Sequence, residues 1–191
     1  MMSITLAVMI SSSAMAEDYD NTAVKLTAET DAYNMSIKAP ETGATEFSAT
    51  AGVGVVDVTG TWSRDGDVDN YTLGVGKEVT VNTTPLYAGA DAELTFGDSY
   101  NSDTRTVALT PYVGVSTTVD KLTPFAEVGY AWQSTTKDVL DLNANSSYVK
   151  VGASYAFDPK VSLDVSVKET RDTDFANPGD RQAEVGVVVK F

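Results

Sequence analysis

A strict period of two, repeated over most of the chain, constrains the fold more than any other feature. From Val161 to Val167 the odd positions are Val161, Leu163, Val165 and Val167, and the even ones are Ser162, Asp164, Ser166 and Lys168. That alternation belongs to a strand with one apolar and one polar face. It recurs upstream. Val149, Val151, Ala153, Tyr155 and Phe157 oppose Lys150, Gly152 and Ser154, while Ala126, Val128, Tyr130 and Trp132 oppose Glu127, Gly129 and Gln133. Val107, Leu109, Val113 and Val115 oppose Thr110, Tyr112 and Gly114; Leu86, Ala88, Ala90, Ala92, Leu94 and Phe96 oppose Gly89, Asp91 and Glu93. The spacing predicts strands over roughly 52–63, 71–81, 85–97, 106–118, 122–134, 147–157, 160–170 and 181–191. Residues 22–51 add one more hairpin, with 39–51 ambiguous, so the expected count is eight to ten, ten being slightly preferred.

The connections alternate in length. Asn82-Thr83-Thr84, Val119-Asp120-Lys121 and Asp158-Pro159-Lys160 are tight turns, whereas 64–70, 98–105, 135–146 and 171–180 are longer and polar. Short turns at one rim and long loops at the other are the pattern of outer-membrane barrels. About eleven residues at roughly 3.3 Å each, tilted near 40°, cover on the order of 28 Å, enough for a lipid-facing band. The aromatics agree. Trp62, Tyr71, Phe96, Tyr130 and Trp132 lie on the apolar face beside the long loops, and Phe157 and Phe191 lie on that face near the opposite rim. Two girdles at the membrane interfaces are expected. In lipid a free strand edge has no water to satisfy it, so the last strand must pair with the first. The expected fold is all-β: a closed antiparallel transmembrane β-barrel with short periplasmic turns and longer extracellular loops. An even strand count would hold both barrel ends in the periplasm.

The final strand, Ala183 to Phe191, is apolar at Ala183, Val185, Val187, Val189 and Phe191, and ends on that aromatic. It resembles the closing strand of small bacterial outer-membrane β-barrels of the OmpA-type or porin-like family. The resemblance implies localisation in the bacterial outer membrane, lipid as surroundings, and recognition of the C-terminal strand by the barrel-insertion machinery. It also implies envelope stabilisation, a narrow channel, or presentation of loops to outside partners.

Residues 1–16 read as an export signal: Ile4 to Ile10 is a short apolar core, and Ala14-Met15-Ala16 is a small-x-small cleavage pattern. It is atypical in having no Lys or Arg before the core. Residues 17–191 are then a single barrel domain. The chain has no Cys and no His, which removes thiolate chemistry, His general bases and Ser-His or Cys-His nucleophiles. No enzyme is expected, and no cofactor or metal. Asp65-Gly66-Asp67-Val68-Asp69-Asn70 starts like a calcium loop but has Asn70 at the sixth position and Gly76 at the twelfth. The net charge of −14 argues against nucleic acid as a partner, and a mean hydropathy of −0.11 is compatible with a barrel whose polar residues face inward.

The polar faces collect Asp91, Glu93, Glu127, Lys150, Asp164, Lys168, Glu184 and Lys190, expected to face the lumen. Their acidic excess would favour small cations in a porin-like pore. Gly74, Gly89, Gly114, Gly129, Gly152 and Gly186 share that face and are expected to be architectural, relieving crowding in a curved wall. Two alternatives fit the alternation: a structural or surface-recognition outer-membrane barrel without an open pore, and a secreted soluble lipocalin-like barrel with its apolar faces turned inward. Neither a solute nor an oligomeric state is legible.

Overall fold

A computed structural model describes residues 21–30, 33–41, 43–66, 68–81, 84–99, 102–137, 140–172 and 180–191. Residues 1–16, where an export signal is expected, lie outside the described residues, as does most of the polar connection 171–180. The described chain is a meander of eleven strands: β1 (Asn21–Glu29), β2 (Tyr33–Pro40), β3 (Thr45–Val53), β4 (Val56–Asp65), β5 (Val68–Thr80), β6 (Leu86–Ser99), β7 (Ser102–Ser116), β8 (Leu122–Lys137), β9 (Leu140–Asp158), β10 (Val161–Asp172) and β11 (Asp180–Lys190). Each strand pairs with its sequence neighbour, and β1 pairs with β11 to close the barrel.

The eleventh strand is one more than the ten expected, and it lies in the ambiguous stretch. Residues 22–51 contribute to three strands rather than one hairpin, and the expected strand 52–63 starts on the last two residues of β3 and runs across the turn into β4. Val53 pairs with Val56 across Gly54-Val55, and Gly54 takes φ 64°, the left-handed value that the first central position of a two-residue hairpin requires. The apolar run Val53-Gly54-Val55-Val56 carries no Asn, Asp or Pro, so it reads as strand interior. An odd meander ends pointing the way it began. Closure, which lipid demands, therefore needs one parallel pair, and β1 lies parallel to β11 from Asn21↔Gln182 to Glu29↔Lys190. β1 consequently enters at the same rim as β11, not at the rim of the tight turns. Ion pairs stitch this seam: Lys25 Nζ lies 3.8 Å from Glu184 Oε1, and Lys190 Nζ lies 3.5 Å from Glu29 Oε2.

The strands are unequal. Those from β1 to β4 run 8–10 residues, while β8 has 16 and β9 has 19. At roughly 3.3 Å per residue and a tilt near 40°, β9 rises on the order of 48 Å, well beyond a hydrocarbon core of about 30 Å. The polar segments 64–70, 98–105 and 135–146 are thus mostly paired hairpin arms: Arg64 pairs with Asp69, Thr104 with Gly97 and Trp132 with Asn145. Outside lipid, ladder hydrogen bonds hold an arm together without an apolar face.

The distribution of exposure is inverted relative to a water-soluble protein. Among the described residues the buried hydrophobics are Ala23, Tyr87 and Ala183, while Leu26, Ile37, Leu73, Leu109, Val128 and Val151 lie exposed on the outer surface. That overturns the lipocalin-like alternative, which requires these faces to point inward.

Candidate functional site: the lumen

Cross-strand register assigns the inner face without ambiguity. Residues directly opposite share a face, so the chain of pairs Gly74↔Glu93↔Ala108↔Gln133 runs around one wall, and Gly114↔Glu127↔Lys150↔Lys168↔Gln182 continues around the next. Hydroxyl pairs line this face between neighbouring strands: Ser36 with Ser48 at 2.7 Å, Thr50 with Thr59 at 2.8 Å, Thr72 with Thr95 at 2.7 Å and Thr106 with Thr135 at 2.9 Å.

Glu127 on β8 is a hub. The hydroxyl of Tyr87, from β6, donates to its Oε2 at 3.1 Å, and the hydroxyl of Tyr148, from β9, donates to its Oε1 at 2.8 Å. Tyr87 reaches across the intervening strand because its register partner there is Gly114. The same device repeats: Tyr112 faces Gly89, Tyr148 faces Gly129, and Phe125 faces Gly152. A Cβ built on Gly114, Gly89 or Gly129 overlaps the opposing tyrosine ring, and one on Gly152 falls 2.6 Å from the Phe125 ring. These four glycines are slots for inward aromatics. Gly74 and Gly186 hold no ring and meet their neighbours only at ordinary contact distances. Gly129→Ala is expected to displace Tyr148 and lower stability by about 1–3 kcal/mol, the usual cost of overpacking. Gly186→Ala should change it much less. Denaturant unfolding of the refolded barrel measures both.

The inward charges form two arcs, which take in several members of the expected set. Asp57, Glu78, Asp91, Glu93 and Glu127 occupy strands β4 to β8. Lys25, Lys38, Lys150 and Lys168 occupy β9, β10, β1 and β2, the strands that flank β11 and its Glu184. Lys38 Nζ reaches Glu184 Oε2 at 3.6 Å and Glu46 Oε1 at 3.9 Å. Lys150 sits 5.6 Å from the Phe125 ring centroid and Lys168 sits 4.4 Å from that of Tyr148, a cation–π geometry. Asp164 shares the inner face with Gly186, and its Oδ1 is buried without a hydrogen-bond partner among the described residues. Lys190 lies apart from both arcs, at the Phe191 end. Asp57, Glu78, Tyr87, Tyr112, Tyr148, Lys25, Lys38 and Glu46 are not among the residues that the sequence singles out. For the three tyrosines the signal is inward parity in register with a glycine, visible only once strands are paired.

On the outer face Phe47, Trp62, Tyr71, Phe96 and Arg105 form one row across five strands, each in register with the next. Arg105 lies over the Phe96 ring at 5.8 Å, and Trp62 Nε1 donates to Asp69 Oδ1 at 3.2 Å. Phe47, on the strand that was not expected, is the one aromatic of this row absent from the predicted set. Tyr130 and Trp132 meet edge to face at 5.0 Å. Near the rim of the tight turns Tyr155 meets Phe157 at 5.3 Å, and Phe191 stands exposed at the end of β11.

An apolar exterior, a closed sheet and a charged interior define a membrane-spanning β-barrel. Residues 3–191 match the family described as outer membrane protein beta-barrel domain, and the chain belongs to that family; its place is the bacterial outer membrane. No curated protein matches. One similar solved structure is an outer-membrane expressed OmpT of Vibrio cholerae, with 16% identity and a TM-score of 0.43, covering 76% of this chain and 53% of that one. The chain thus spans about half the length of that structure.

Proposed function

We propose that this is a small porin-like barrel whose narrow, net acidic lumen lets small cations and solutes pass passively. The observation that carries this is the inward charge set within an apolar exterior. Carboxylates outnumber lysines on the inner face, and an acidic lining concentrates cations. Apart from Tyr87, the inward tyrosines lie only partly buried, and Asp164 keeps an unpaired oxygen that water can serve. No catalysis is assigned; a chain without His or Cys offers no Ser-His or Cys-His nucleophile pair. The outer aromatic rows act as interfacial girdles, and the Val185-Val187-Val189-Phe191 face is the element offered to the insertion machinery.

In planar bilayers the purified, heat-modifiable protein is expected to give discrete conductance, with a reversal potential in a salt gradient that shows cation preference. Asp91→Asn with Glu93→Gln should reduce that preference. Absence of conductance from correctly folded protein would remove the pore. A second reading rests on the hairpin arms of β6 to β9, which rise beyond the lipid band and offer a paired surface for outside contacts. Shortening the β8–β9 arm should abolish such contacts while leaving folding intact.

A further inference from the structure

The inner wall at the rim opposite Phe191 contains a recess of about 300 Å³, which extends to Gly43 and Ala44 in the β2–β3 turn. Lys38, Lys150 and Lys168 line it together with Ser166 and Gln182. Two carboxylates border it as well, Glu46 and Glu184, but both are engaged: Lys38 pairs with each of them, and Lys25 also holds Glu184. Lys150 and Lys168 differ. They are directly opposite each other on β9 and β10, and neither has a carboxylate oxygen within 4 Å among the described residues. The nearest carboxylate in register with Lys150, Glu127, has both oxygens taken by Tyr87 and Tyr148. Like charges directly opposite in a sheet destabilise it, and their ring contacts offset that only in part.

We propose that this recess binds a small free oxyanion of the phosphate type. Lys150 and Lys168 supply the charge, and Ser166 and Gln182 supply neutral hydrogen-bond donors beside them. An anion between the two ammonium groups turns a repulsive pair into two charge-assisted contacts. The recess faces the lumen, away from lipid, so a phosphate group on a soluble molecule fits it and a lipid headgroup does not. This goes beyond the permeation proposal. The recess reaches the outer mouth and can fill whether or not the lumen conducts.

The probe is inorganic phosphate, titrated into the full folded chain in detergent micelles and followed by calorimetry and by backbone amide shifts. Saturable binding is expected, with shifts at Lys150, Ser166, Lys168 and Gln182 and none at Asp91 or Tyr112 on the acidic wall. Lys150→Gln and Lys168→Gln should each weaken it roughly tenfold, the loss of one charge-assisted contact. Lys190→Gln, outside the recess, should leave it unchanged. Should a Gln variant fail to show the heat-modifiable mobility of a folded barrel, the shift pattern of the native chain decides the matter by itself. Non-saturable binding, equal shifts on both walls, or unchanged affinity in a folded Gln variant would overturn the site. Conductance plays no part in this measurement, so loss of the pore and loss of the anion site are separately visible.

Discussion

Val151→Arg is expected to destabilise the folded barrel by about 2–4 kcal/mol, the cost of an arginine near the middle of the lipid band. The neighbouring residue, Lys150, already carries a positive charge at no such cost, because successive side chains on a strand point to opposite faces. Val151 stands 48% exposed on the outer face of β9 with Ala126 and Val167 as register neighbours. Its surroundings in the membrane are hydrocarbon. Ser154→Arg, at inward parity on the same strand, keeps its charge in the polar interior and should cost much less. Equilibrium unfolding by urea from lipid vesicles measures both. Equal costs for the two substitutions would mean that the faces of β9 are wrongly assigned.

Glu127→Ala should be the most damaging change inside the lumen, lowering stability by about 3–6 kcal/mol. It leaves two tyrosine hydroxyls without their acceptor, and hydrogen bonds to a charged group contribute about 1.5–3 kcal/mol each. Tyr87→Phe and Tyr148→Phe, which each remove one donor to that carboxylate, should cost about half as much in the native background. In the Glu127→Ala background they should cost almost nothing, because the partner is already gone. Independent, additive effects in that double-mutant cycle would show that the three side chains do not act as a unit.

The legibility of this chain followed its apolar content. Where lipid demands an apolar face, as in Val149-Val151-Ala153-Tyr155-Phe157 or Val185-Val187-Val189-Phe191, parity, face and the closing role of the last strand could all be read from side chains alone. Where that demand lapses, so does the signal. β3 presents Thr45, Phe47, Ala49 and Ala51 outward, too weakly apolar to separate it from a loop, and its boundary with β4 is hidden by the Val53 to Val56 run. The hairpin arms stand outside the band, where polar residues pair as well as apolar ones. That is why stretches such as 135–146 look like loops in the sequence. The odd strand count and its parallel seam follow from that one missed strand.

The inner face shows the same division. Its charged members were legible by parity, but their arrangement was not. Lys150 and Lys168 are separated by eighteen positions and become immediate neighbours through the β9–β10 register. Tyr87 and Glu127, forty residues apart, meet across a strand because Gly114 leaves the space. The inward glycines were expected to relieve crowding in general; the structure gives four of them a specific ring to accommodate, and leaves Gly74 and Gly186 without one.

The alternation puts apolar side chains toward lipid and polar ones toward a lumen. A natural absence of Cys makes it directly measurable. Single cysteines placed in turn from Ser147 to Phe157 on β9, spin-labelled in the reconstituted barrel, report their exposure to oxygen dissolved in lipid and to a water-soluble relaxation agent. The expected result is a period of two, with lipid exposure high at 149, 151, 153 and 155 and low at 148, 150, 152 and 154. Lipid exposure at the even positions instead, or no alternation along the strand, would contradict it.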